Sequence, residues 1–278
     1  MPLTAVVVHR ERPAGCGRTV RSLLAQGVDR VLVVDNGSAR APDVAGAEVL
    51  PLGRNAGFGP GANAGLRRWL TGGAGEWILV APHDAEPEPG CVERLVAAAA
   101  ARPRAGLACA EYGDHVWSGT PVVDPLFGAL LVPSTVAEGW EDAGYPHGTL
   151  LLARRACLEE IGLFDERYFA YCEEADLGER ARRAGWEVGI VRGAVVRNPG
   201  QSSGAAVPQY LMLRNTLQLV RRHFGRGRAA LQFVVVLGIT VRGALGGTKA
   251  PFWHQRARWY ALRDYVLGRV GPPPDALG

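Results

Sequence analysis

Leu3-Thr-Ala-Val-Val-Val8 closing on His9, and Arg30-Val-Leu-Val-Val34 closing on Asp35-Asn-Gly-Ser38, decide the fold. Both runs are apolar without a break and rich in β-branched residues, the pattern of a strand buried on both faces. Between them, Arg18 to Gln26 carries Val20, Leu23 and Leu24 at helical spacing. The alternation continues outward. Glu48 to Leu52 reads as a third strand, Asn63 to Leu70 as a helix and Trp77 to Ala81 as a fourth strand. Val92 to Ala101 reads as an Ala-rich helix ended by Pro103, and Gly106 to Ala110 as a further strand. Strands alternating with helices predict an α/β fold: a mostly parallel sheet flanked by helices, with right-handed crossovers.

The texture then changes. Glu111 to Gly144 is rich in Gly, Pro, Asp and Trp without a period, and reads as irregular strands and loops around a substrate. Thr149 to Leu152 reads as a strand, Arg155 to Gly162 as a short helix, Glu173 to Gly185 as a strong helix and Glu187 to Val191 as a strand. From Pro208 the chain is helical in several pieces. The expected division is a catalytic domain over 1–207 and a helical C-terminal extension over 208–278, packed on or beside it.

The 278 residues are 47% hydrophobic and 21% charged, enough for a full globular core. The net charge of +4 is unevenly spread. From Gln201 onward, eleven Lys or Arg face two acids, Asp264 and Asp275, about +9; the first 200 residues hold 20 basic and 25 acidic groups, about −5. A basic tail on an acidic body predicts an anionic partner, a phosphate-rich ligand or a membrane surface; no nucleic-acid partner is expected. The apolar stretch Leu231 to Val241 beside those arginines either meets that surface or packs on the catalytic part or a second subunit, as in a homodimer. Its longest run, Phe233 to Val241, is about half the ~20 residues a span needs, so no transmembrane helix is expected. Five scattered cysteines without a C-x-x-C pair, and a start without the apolar core of a secretion signal, predict a cytoplasmic protein. Lipid binding by the tail would make it peripheral at the inner face of the membrane.

In open α/β sheets, ligands sit beyond the carboxyl ends of the strands. There the chain places His9, Asp35 with Asn36, Asn55, and His83 with Asp84. The segment Asn55 to Gly65, with Gly57 and Asn63, resembles a dinucleotide fingerprint only superficially: it follows the third strand, and Pro60 interrupts it. Its glycines would still let backbone approach an anionic ligand. Asp84 and Glu86 stand two apart; on an extended segment they point the same way, as hard oxygen ligands for Mg²⁺ or Mn²⁺ on a diphosphate. Glu173, Glu174 and Asp176 open a helix beside the aromatic run Tyr168 to Tyr171. Asp176 can pair with Arg180 at i,i+4, and a neighbouring carboxylate, partly desolvated, could act as a general base.

Val33-Val-Asp-Asn-Gly-Ser38, Asn55-x-Gly-Phe-Gly-x-Gly-x-Asn-x-Gly65, Asp84-Ala-Glu-Pro-Glu-Pro-Gly90, Arg154-Arg155, Ile161-Gly-Leu-Phe-Asp-Glu166, Tyr168-Phe-x-Tyr-x-Glu-Glu-x-Asp-Leu177 and Tyr210-x-x-x-Arg-Asn215 occur in one order. Together they resemble the family 2 inverting glycosyltransferases, GT-A Rossmann-like fold, rhamnosyltransferase-like branch. The resemblance covers roughly Leu3 to Leu219. It implies that Asp35 hydrogen-bonds a pyrimidine base, that Asp84 is the last acid of the metal motif, that Glu174 is the catalytic base with Glu173 as rival, and that Arg214 meets the diphosphate. The sequence departs from the family at Val8-His9-Arg10, at Pro82 and at Arg197. A cation at Arg197 is expected beside Asp84, taking over some of the metal's charge-stabilising work.

The implied reaction moves a deoxysugar, rhamnose first, from a dTDP- or UDP-sugar to an acceptor hydroxyl with inversion. The acceptor is a glycan, a lipid-linked glycan or a natural product, and Trp117, Trp140, Tyr145 and His147 are its expected contacts. The alternatives are a sugar-nucleotide nucleotidyltransferase, for which Glu11 to Gly17 is a poor phosphate loop, and a catalytically weak nucleotide-sugar-binding protein.

Overall fold

The computed structural model describes residues 2–113, 119–199, 206–246 and 253–277. Strands β1 (Thr4–His9), β2 (Arg30–Asp35), β3 (Ala47–Pro51) and β4 (Trp77–Pro82) are all parallel, side by side in the order β3-β2-β1-β4. Alternate residues of these strands feed two cores. Val7, Leu79 and Ala81 meet helices α1 (Pro13–Ala25) and α3 (Cys91–Ala100) through Cys16, Leu23 and Leu95. On the other face, Val6, Val8 and Val80 meet α2 (Phe58–Gly72), α4 (Arg155–Ile161) and α5 (Glu173–Arg183) through Leu66, Trp69, Leu158 and Leu177. Burial on both faces is why these strands read as unbroken apolar runs.

The other half of the sheet adds three antiparallel strands to the six that run parallel, as the mostly parallel expectation allows. Beyond β5 (Glu86–Pro87) and α3, β6 (Ala105–Tyr112) resumes the parallel direction. A hairpin of β7 (Thr120–Asp124) and β8 (Gly128–Val132) follows, then β9 (Gly139–Asp142). Next, β10 (Leu151–Arg154) lies antiparallel between β4 and β6. The chain enters β10 from the carboxyl edge, through Tyr145 to Leu150, so it can only run back down the sheet. Last, β11 (Glu187–Arg197) runs parallel to β6 and takes β5 and β9 antiparallel. Among the described residues this makes a mixed sheet of nine strands.

Helices α6 (Ala206–Phe224), α7 (Arg226–Ala244) and α8 (Gln255–Val266) form the C-terminal part. Tyr210, Leu211, Ala257 and Ala261 join α6 to α8, with Phe169, Ala170 and Tyr171 packed against them. With 19 residues and a mean hydropathy of 1.3, α7 is long and apolar enough to cross a membrane by length and composition. The apolar run foreseen there is shorter than the helix that contains it.

Candidate active site

The carboxyl edge brings together the ends of β2, β1 and β4 and the beginning of β10. Strands lie about 4.8 Å apart, so these four line about 14 Å of edge. Asp35 is 4% exposed; its Oδ1 accepts the Ser38 amide at 3.2 Å, and its Oδ2 takes no hydrogen bond among the described residues. Asp84 is half-buried, and its carboxylate makes no hydrogen bond or ion pair among the described residues.

Several residues expected to touch the donor are instead spent on building the edge. His9 is 1% exposed, its ring set edge-on against His83 with 5.4 Å between centroids, so it supports His83 and does not face a ligand. Burial lowers the pKa of both rings and keeps them neutral. Asn36 donates to Asn55 Oδ1 at 3.2 Å and to the Gly57 carbonyl at 2.9 Å, and accepts the Ala56 amide at 2.8 Å. Asn55 in turn accepts the Gly57 amide at 3.1 Å. Gly57 has φ +100°, and a Cβ there would collide with the Phe169 carbonyl. This loop is therefore a staple between β2 and the 169 segment. Asn63 is buried with both amide ends committed to Phe164 backbone and to Glu166.

Glu86 does not join Asp84. A turn at Pro82 to Ala85 breaks the extended geometry, and Glu86 pairs with Arg18 on α1 at 2.9 Å. Arg197 pairs with Glu88 at 2.6 Å in place of standing as a cation for Asp84. Arg214 is fully buried and donates to Tyr210 Oη, Asn215 and the Gly271 carbonyl. It locks α6 to the chain after α8 and cannot reach a diphosphate.

The two glutamates at the start of α5 have different surroundings. Glu173 is 2% exposed, packs against Gly59 at the start of α2, and leaves Oε2 buried without a partner. Burial, then the charge of Glu174, raises its pKa well above the carboxylate range. Glu174 is half-buried and faces Gly148, just before β10, where any side chain would collide with its Oε1. Burial raises its pKa to about 7. Tyr145 and His147 lie beside it: Glu174 adds to the burial that pushes the Tyr145 phenol up, and the two rings are 6.3 Å apart. Burial lowers the His147 pKa to about 4. Asp176 is taken by Arg180 and His223, each at 2.8 Å.

A family model described as "Glycosyl transferase family 2" matches residues 4–162. Two curated relatives from Mycobacterium tuberculosis strains, both named N-acetylglucosaminyl-diphospho-decaprenol L-rhamnosyltransferase, are 30% identical over 261 residues, covering 81% of this chain and 83% of theirs. The chain belongs to glycosyltransferase family 2. Among solved structures, GalNAc-T7 with UDP, GalNAc and Mn²⁺ superposes with a TM-score of 0.66 at 13% identity, covering 96% of this chain and 56% of that one. The mannosyltransferase PcManGT from Pyrobaculum calidifontis, with GDP-Man and Mn²⁺, gives 0.56 at 15% identity over 95% and 86% of the two chains. These two share the GT-A fold with this glycosyltransferase.

Of the expected acceptor contacts, Tyr145 and His147 stand near Glu174. Trp117 lies outside the described residues. Trp140 is on the face of α1 and α3, over Gly189 and under the Arg102 guanidinium, away from Glu174. Its indole donates to Asp142, 2.7 Å away. Two residues outside the expected site shape the surroundings of the glutamates. Gly148 makes the room Glu174 occupies. Asn215 donates to the carbonyls of Ala170 and Tyr171, at 2.8 and 2.9 Å, and so holds the turn before the two glutamates. Asn215 stood in the quoted Arg-Asn pair, but the charge of its neighbour drew the functional reading.

Proposed function

We propose that this glycosyltransferase moves a deoxysugar, rhamnose first, from a dTDP- or UDP-sugar to a hydroxyl of a lipid-linked glycan, with inversion, at the cytoplasmic face of a membrane. The observation that carries the reading is Glu174: one half-buried carboxylate set against Gly148 at the start of β10, near Tyr145 and His147, and raised to about 7. A base poised near neutrality suits proton removal from an alcohol. The acceptor hydroxyl gives its proton to Glu174 as its oxygen bonds the anomeric carbon. The bond from that carbon to the diphosphate breaks, and the nucleoside diphosphate leaves. One displacement inverts the centre.

Asp35, with one oxygen uncommitted at the end of β2, is the group to bind the pyrimidine. The unpartnered Asp84 carboxylate fits a Mg²⁺ or Mn²⁺ ion, whose charge would stabilise the leaving diphosphate. Glu86 is not part of that donor set. The relatives' named acceptor supports a polyprenyl-diphosphate-linked sugar here. Five buried, unpaired cysteines support the cytoplasmic placement. The nucleotidyltransferase reading loses its loop, because α1 begins at Pro13 and leaves no phosphate cradle after β1.

The test is turnover with dTDP-rhamnose, UDP-sugars and GDP-sugars on an N-acetylglucosaminyl-diphospho-polyprenol acceptor. The expected result is transfer from dTDP-rhamnose. Turnover confined to a GDP-sugar would overturn the donor assignment, and binding without turnover would favour a binding protein.

A further inference from the structure

The surface of α7 is inverted for a helix in water. Leu231, Val234, Val235, Gly238, Val241 and Leu245 are exposed and succeed one another at three- and four-residue steps, which is one stripe of a helix. Leu245 is 83% exposed and Val234 63%. The inward stripe holds Ala229, Gln232 and Thr240. There Arg258 donates to Thr240 Oγ1 at 3.0 Å and Gln255 to the Thr240 carbonyl at 2.9 Å. Two polar side chains, Gln232 and Thr240, point into the protein with Ala229 and Phe233, while most of the helix's large apolar side chains point out. A contiguous outward apolar stripe marks a contact surface.

Charge selects what covers it. Arg228 and Arg242 fall on the exposed stripe at its two ends, about four turns apart, with Arg221 and Arg226 near the first. The region from Gln201 carries eleven basic residues against two acids, and one of these acids, Asp264, is buried beneath Arg263 and Arg269. A second copy on a two-fold contact would set this positive region against itself. An anionic lipid surface complements it. The inward stripe is held by α6 and α8, so α7 lies along such a surface and does not cross it. We propose that α7 docks the protein on an anionic bilayer, with the Leu231 to Leu245 stripe at the boundary of headgroups and acyl chains. The proposal holds whichever sugar is moved.

Sedimentation of the full chain with phosphatidylcholine vesicles, with and without phosphatidylglycerol, tests it. The protein should pellet with phosphatidylglycerol vesicles at low salt and be released at high salt. Val234→Asp and, separately, Arg228→Glu should each weaken binding about tenfold. Both side chains are exposed, so circular dichroism should be unchanged. The proposal is overturned if the wild type stays in solution with anionic vesicles at low salt, or if Val234→Asp binds as the wild type does. It is also overturned if the protein is a dimer that Val234→Asp dissociates, which would give the stripe to a second copy.

Discussion

Glu174 can serve as a base only when ionised, and burial favours its neutral form. With a pKa near 7, half the sites are protonated at neutrality, so turnover should rise with pH through about 7. An acidic limb of kcat/KM at the ordinary glutamate position would remove Glu174 from the role. Glu174→Gln should cut turnover by about 10²–10⁴-fold while donor affinity holds. Glu173 is shifted in the same direction but stands in a different place. Its folded pKa is raised, so the folded state binds its proton more tightly, and stability contributed by this group falls as pH rises above the unfolded value. Glu173→Gln should therefore raise the thermal midpoint at pH 8 and change turnover little; loss of turnover comparable to that of Glu174→Gln would mean that the two roles are exchanged. For the donor, Asp35→Ala should weaken dTDP binding by about 1–3 kcal/mol in calorimetry. Unaltered affinity would show that another group reads the base. Exhaustive chelation should abolish turnover, and Mn²⁺ should restore it in the wild type but not in Asp84→Asn; full activity in EDTA would rule the metal out.

The elements decide where those residues stand, and not all of that is written locally. Strand ends were legible because β-branched runs buried on both faces stop abruptly at polar residues, as β1 does at His9 and β2 at Asp35. The direction of β10 was not, because it depends on the path of Glu111 to Gly144, which has no period. Glu86 was misread for a related reason: the two-residue alternation holds only along a strand, and the turn after Pro82 resets it. Arg214 looked functional because charge at a motif suggests a ligand, whereas its partners are Tyr210, one helical turn away, and the carbonyl of Gly271, distant in sequence. The turn before α5 shows what such partners do. Tyr171 and Cys172 both have positive φ, 67° and 71°. That conformation costs about 1–2 kcal/mol per non-glycine residue. Asn215 on α6 holds it through two carbonyls, and Thr216 meets Cys172 Sγ at 3.5 Å. Asn215→Ala should free the turn, lowering kcat with little change in donor affinity. A variant with normal kcat would show that the turn holds itself.

At the scale of the molecule, the C-terminal helices are more than an attachment. Phe169, Ala170 and Tyr171 pack into the same apolar cluster as Tyr210, Leu211, Ala257 and Ala261. Arg222 and His223, at the end of α6, reach Asp176 in the first turn of α5, and Arg222 also pairs with Asp165. Asp176 is 0% exposed, so removing these partners would leave a buried carboxylate with Arg180 alone. Loss of one partner from a buried pair is strongly destabilising, about 3–5 kcal/mol. The catalytic part therefore depends on α6 for its own turn and its own buried charge, and α6 depends on α8 through Tyr210 and Asp264, 2.9 Å apart. Units coupled by a shared core and shared ion pairs unfold together. Calorimetry should show one transition for the whole chain, with equal calorimetric and van't Hoff enthalpies. Saturating dTDP should shift that single transition upward, since ligand binding to the folded state stabilises all that unfolds with it. Two transitions, with only the later one responding to dTDP, would show that the helices melt away from a catalytic domain that stands by itself.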